Sequence, residues 1–395
     1  MKRRSFMTGV SALAMGQLVS GCNNNQKLSL KVKLLQDSVP VQLLGEFRKV
    51  LQEPINLKFE PESQLNNLYK SLGNWKKQVE EKKKQSLWDS IPLIGHKNSE
   101  IPSLVTLGDS WLEAAIKQKL IQPLKIEELG GWKELSPVWR KLVTRNEQGE
   151  LDKSGLIWGA PYRWGTTVIA YRRDKFEELG WKPKDWSDLW RADLRDRISL
   201  LDQPREIIGL TLKKMGLSYN QTDLSQIPNL KKELLALHRQ AKLYSSDRYL
   251  EPLVLEDTWV AVGWSTDILS LGESVRDIEA VVPASGTSLW ADLWVQPTGF
   301  PQESNSGKTT DSISISKKWI DFCWQKEAAI SMSLLGDAPS PRLTSINRGD
   351  LPKKVADNKL LLPDTSVMDK SEFIYPISEK LIKQYQLFWE EIRNS

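Results

Sequence analysis

In the stretch Ser288-Leu289-Trp290-Ala291-Asp292-Leu293-Trp294 one carboxylate stands between two tryptophans at alternate positions. On a strand, where side chains alternate faces, Trp290, Asp292 and Trp294 share one face. An acid flanked by indoles suits an organic cation: the carboxylate supplies charge, and each ring contributes about 0.5–2 kcal/mol of cation–π attraction and a dry wall. The competing reading packs Trp294 in a core while Asp292 caps or pairs locally. Glu206 in Asp202-Gln203-Pro204-Arg205-Glu206 is a second acid open to two readings. It is a ligand carboxylate, or the acid of a helical first turn that starts at Pro204. Residues that enzymes need are scarce. His96 and His238 have no metal-ligand partner three or four residues away, and no HExxH, paired CxxC, GxSxG or dinucleotide-binding glycine pattern occurs. Ser306-Gly307-Lys308-Thr309-Thr310 lacks the first glycine of a phosphate loop and reads as a flexible connection. These residues argue for a binder without metal or cofactor.

The elements around these residues alternate between strand and helix. Leu28–Pro40 opens as an alternating strand, Val41–Pro54 has helical spacing, and Ile55–Ser63 is a second strand. Residues 64–84 read as a charged helix. Ile101–Leu124 holds a buried strand, a turn at Gly108 and a helix, with Asp109 or Ser110 as its N-cap. Strand–helix units recur from Leu156, Arg197 and Thr258, which predicts an open α/β sheet. Cys323 lies in an amphipathic helical run and reads as a small buried hydrophobe.

A length of 395 residues, 40% hydrophobic and 27% charged, fits a globular chain of about two domains. The formal charge of +5 includes Lys2, Arg3 and Arg4, and no basic stripe argues for nucleic acid. Arg3-Arg4-Ser5-Phe6-Met7 resembles a twin-arginine export signal, and Leu18-Val19-Ser20-Gly21-Cys22 resembles a bacterial lipobox. The weakly apolar run between them is short for a membrane span. The expectation is a signal peptide over 1–21, a lipidated Cys22 and a polar tether over 22–27, leaving the protein on a membrane through lipid rather than through a helix. With Cys22 lipidated, Cys323 has no partner for an intrachain disulfide.

Four stretches together resemble the bacterial periplasmic spermidine/putrescine-binding proteins, the receptors of ABC importers. They are Gly159–Phe176 ("GAPYRWGTTVIAYRRDKF"), Asp185–Asn220, Val260–Ile268 ("VAVGWSTDI") and Ser288–Trp294. The likeness is dense from 156 to 300 and thin before 100. It implies a two-lobe α/β periplasmic binding protein fold (type II) with a ligand cleft between lobes. Lobe 1 would comprise 28–166 plus 290–336, and lobe 2 would comprise 167–289 plus 337–395. It further implies that Glu206 and Asp292 meet ligand nitrogens and that Trp264 and Trp290 wall the site. Gln203 stands where the family has an aspartate. Asp109 and Ser110, in Gly108–Trp111, replace a family Ser-Thr-Tyr-Tyr run. The implied partners are a small cationic solute such as a polyamine, and a permease driven by a separate ATPase. The protein would act as a monomer in the periplasmic space. Two alternatives stay open: another solute (an anion, metal ion or opine), for which Arg163 and Arg205 near the motifs speak, and a binding fold retired into a lipid-anchored scaffold.

Overall fold

The computed structural model describes residues 29–51, 53–86, 100–271, 275, 277–301 and 311–395. The export signal, Cys22, the tether, His96 and the 306–310 stretch lie outside the described residues. Strand β1 (Ser29–Leu35) alternates buried and half-exposed residues, turning Leu30, Val32 and Leu34 inward. Helix α1 (Val41–Val50) follows and buries Leu43 and Phe47, one helical turn apart. β2 (Asn56–Glu62) pairs in parallel with β1, and helix α2 spans Leu65–Ser86. β3 (Leu104–Gly108) is buried throughout, as a parallel strand covered on both faces must be.

Two long strands build the junction. β4 (Ala160–Arg172) pairs along residues 160–166 with the strand Ser288–Pro297, whose N-terminal end lies opposite Thr166. From Thr167 onward β4 pairs instead with Val260–Trp264 and Ile278–Val281. Completing the second lobe in chain order are β5 (Ile198–Leu200), β6 (Ala241–Tyr244), β7 (Val260–Trp264) and β8 (Ile278–Val281). β9 is Ser288–Pro297, and β10 (Glu372–Phe373) pairs with its start. The strand order runs β2-β1-β3-β9-β4-β7-β5-β6. One α/β core therefore sits on β1, β3, β9 and the first half of β4, and a second sits on the remainder of β4 with β5 and β7. This is the two-lobed architecture, with β4 running through both lobes.

Among the described residues, Trp139, Trp164, Trp186, Trp294, Trp319 and Trp324 are fully buried and structural. Trp294 stacks on Tyr162 at 3.9 Å between ring centroids, so it belongs to the first core and not to a ligand wall. Cys323 is buried in the same core. Residues just beyond Gly336 do not leave the first lobe as the sequence boundary supposed. The Pro339 carbonyl accepts from Trp164 N–H at 3.0 Å, and Ser340 N–H donates to Ser333 Oγ at 2.9 Å. Leu343, Leu351, Val355, Ala356 and Leu362 then pack around Ala329, covering the helix Lys326–Leu335. Among the described residues, no helix is long and apolar enough to cross a membrane.

Candidate functional site

The pairing register assembles the site. Asp292 of β9 lies between Gly108 at the end of β3 and Arg163 of β4, and Trp290 lies opposite Gly165. Arg163 Nε donates to Asp292 Oδ2 at 2.6 Å. Gly165 makes room for the indole: a Cβ there would lie 2.3 Å from Trp290 Cζ2. The β4–β9 pairing also carries a bulge between Asp292 and Leu293, with Tyr162 as the extra residue. The bulge re-phases the strand, so Tyr162 stacks on Trp294 while the next residue, Arg163, still faces Asp292.

Asp109 follows β3 directly. Its carboxylate does not cap the following helix, as the turn had suggested. Its Oδ1 accepts from Ala291 N–H at 3.0 Å, which ties the end of β3 to β9, and Ser110 stays exposed. Burial, with the neighbouring Asp292 charge adding to it, pushes the Asp109 carboxyl up to about 7, against the pull of the Ala291 N–H and Arg145. An acid raised on folding binds more protons folded than unfolded, so stability falls as pH climbs from its unfolded value toward 7. Asp109→Asn keeps an acceptor for Ala291. It is expected to flatten this slope and to be more stable than the parent at pH 8 by on the order of 2–4 kcal/mol. Urea unfolding at pH 4, 6 and 8 checks this, and parallel pH profiles for the two proteins would refute it.

The second lobe contributes the ends of β5 and β7. Past β5 the chain turns at Gln203 into helix α3 (Pro204–Lys214), with proline at the first helical position and Glu206 in the first turn. Gln203 makes no side-chain cap. Glu206 is buried, and its Oε2 accepts from Ser288 Oγ at 2.7 Å and Thr167 Oγ1 at 3.1 Å. Both hydroxyls sit where β9 and β4 pass between the lobes. Burial raises the Glu206 carboxyl above its ordinary value, and the two hydroxyls and the Arg205 guanidinium partly offset this. Trp264 ends β7 opposite Thr167 and is half-buried. Its N–H donates to Tyr249 Oη at 3.0 Å, and Tyr249 Oη donates to Asp267 Oδ2 at 2.7 Å. A cavity of about 320 Å³ lined by Asp247, Arg248, Tyr249, Leu250, Glu251 and Asp267 opens beside this pair.

The structure thus brings Trp290, Asp292 and Asp109 together on the first lobe and holds Glu206 at the junction with Trp264 nearby. Asp292 is not a free counter-charge: the Arg163 guanidinium pairs with it and lies 5.8 Å from the Trp290 ring centroid. Sequence reading missed this pairing and the Tyr249–Asp267 pair. Arg163 and Asp292 are 129 residues apart, and no local pattern reports that register.

Residues 99–371 match the bacterial extracellular solute-binding protein family. The spermidine/putrescine-binding periplasmic protein of Salmonella typhimurium is 24% identical over 273 residues, covering 68% of this chain and 71% of that protein. The putrescine/cadaverine-binding protein of Pseudomonas aeruginosa is 26% identical over 269 residues, covering 64% and 71%. In fold, a spermidine/putrescine ABC transporter substrate-binding protein from Streptococcus pneumoniae superposes with a TM-score of 0.74 at 19% identity. That match covers 93% of this chain and 99% of the other.

Proposed function

The chain belongs to the bacterial extracellular solute-binding proteins, and from that premise we propose that it is the receptor of an ABC importer, capturing a small cationic amine between its lobes. Glu206 carries the reading. It is a buried carboxylate held by two hydroxyls rather than by a lysine or arginine, at the junction of both lobes. Its hydrogen bonds come from neutral groups, and the adjacent Arg205 pulls on it only electrostatically while giving its Nη1 to the Tyr375 carbonyl; a buried anion so incompletely answered is costly, and an incoming ammonium repays that cost. Trp264 and Trp290 supply ring faces of the kind that attract such a cation. The names of the relatives agree in chemistry, since they are given as binders of spermidine, putrescine or cadaverine.

Transport follows from closure rather than from catalysis. Contacts made by both lobes favour the closed state, because the ligand binds that state more tightly than the open one. The closed receptor, acting as a monomer, then docks on a permease powered by a separate ATPase, and it needs neither metal nor cofactor. The resemblance of Arg3-Arg4 to an export signal and of Leu18–Cys22 to a lipobox supports a receptor in the periplasmic space, held by a lipid on Cys22. Cys22→Ser is expected to move the protein from the membrane fraction to the soluble fraction and to abolish lipid labelling; unchanged labelling would reject the anchor.

The test of the amine reading is calorimetry of the soluble Cys22→Ser protein with putrescine, spermidine and n-butylamine. Saturable heat with at least one of them, or with the amino acid 4-aminobutanoate, is expected, and heat with none of the four overturns the reading.

A further inference from the structure

Arg163 occupies the position that the acid-and-indole stretch offers to a ligand cation. Its Nε meets Asp292 Oδ2 at 2.6 Å, its guanidinium lies 5.8 Å from the Trp290 ring centroid, and its side chain is 12% exposed. The charge that Asp292 would lend to a ligand is therefore already answered from within the chain. A second observation points the same way. Trp290 Nε1, a group that can donate but not accept, is buried without an acceptor. A guanidinium and an unanswered indole N–H together call for an acceptor rather than another ammonium.

We propose that Arg163 sets the ligand class: within the amines, the site takes one whose single ammonium goes to Glu206 and whose far end is a carboxylate or neutral acceptor facing Arg163 and Trp290. This inference rests on the amine reading of Glu206 above. A diamine of the same length brings its second ammonium up to a resident guanidinium, where like charges in a poorly hydrated site repel. To displace that guanidinium the diamine must compete with a group tethered to its site, which acts at high effective concentration. The carboxylate of an ω-amino acid instead gains the guanidinium as a charge-assisted partner.

The isosteric set putrescine, n-butylamine and 4-aminobutanoate tests this by calorimetry on the Cys22→Ser protein. 4-Aminobutanoate is expected to bind tighter than putrescine by about tenfold or more, with n-butylamine between them. Arg163→Gln is expected to reverse the order. The double variant Arg163→Gln, Asp292→Asn removes both charges of the pair, so no lone buried charge threatens its folding, and it is expected to erase the preference. Putrescine binding the parent as tightly as 4-aminobutanoate, or a preference unchanged in both variants, overturns the inference while leaving the amine reading intact. Heat with none of the three in parent or variants overturns the amine reading and this inference with it. A readout independent of that reading is the melting temperature of Arg163→Ala in methylguanidinium. A rise absent from the parent supports a cation subsite at Asp292 that Arg163 fills, and no rise overturns it.

Discussion

Glu206→Gln weakens amine binding at least about thirtyfold and leaves the fold as stable as the parent or more so. The two effects have one cause. Glu206 is buried on hydroxyls, and burial raises its carboxyl above the ordinary value. A raised acid is protonated more readily folded than unfolded, so ionising it costs stability as pH rises from the unfolded value through the folded one. Glutamine keeps an oxygen for Ser288 and Thr167 and removes the charge. Its gain in stability should be absent well below pH 4 and present at neutral pH. For the ligand the sign is opposite. An ammonium entering this junction needs a counter-charge, and losing one partner of a buried charged contact costs about 2–5 kcal/mol, a drop of roughly thirtyfold to several thousandfold in affinity. Asp193→Asn is the control: Asp193 is exposed and pairs with Arg191 at 3.3 Å on the surface, so neither quantity should move much. Calorimetry and urea unfolding of the same preparations read both effects. An affinity within threefold of the parent would show that Glu206 is a helix-start acid and not a ligand group.

How much of this was legible in the chain follows from the range of each signal. β1 announced itself because Leu30, Val32 and Leu34 alternate with half-exposed lysines and a serine. The start of α3 was legible because proline at a first helical position is a local signal. The Gly159–Phe176 stretch was carried by resemblance; the change of strand partners between Thr166 and Thr167 is a matter of register. Other features depend on partners far away in sequence. In isolation Asp109 resembles a helix cap, but the acceptor role it takes up is toward Ala291, 182 residues on. Trp294 sits two residues from Asp292 and lies on the same side of the strand, yet the bulge at Tyr162 brings a ring onto it and seals it into the core. The segment after Gly336 has few pattern cues, and its place on the first lobe is decided by small residues of the preceding helix, with Ala329 and Ser333 receiving Leu343 and Ser340. Local periodicity thus reports elements. The charge state of a site depends on register, which a single sequence does not display.

Asp292→Asn lowers the stability of the ligand-free protein by about 3–5 kcal/mol, the range for removing one partner of a buried ion pair. The side chains of Arg163 and Asp292 are 12% and 2% exposed, so solvent does little to screen what is left. What is left is the guanidinium, which stays protonated at any working pH. Burial pushes the Asp292 carboxyl up while Arg163 pulls it back, so the charge on this acid depends on its partner rather than on water. Remove the acid, and the carboxylate left to help Arg163 is the more distant Asp267, already engaged by the Tyr249 hydroxyl. Neutralising both partners should be far milder than neutralising one, because no lone charge remains buried. A double-mutant cycle of Asp292→Asn with Arg163→Gln, followed by urea unfolding at pH 7, therefore separates two pictures of this face. If the pair is a locked ion pair, the double variant recovers more than half of the loss suffered by Asp292→Asn alone. If Arg163 merely rests against Asp292 and swings to solvent when released, the single variant loses under about 1 kcal/mol, as a surface pair would. That outcome would return Asp292 to the role of an open counter-charge waiting for a ligand.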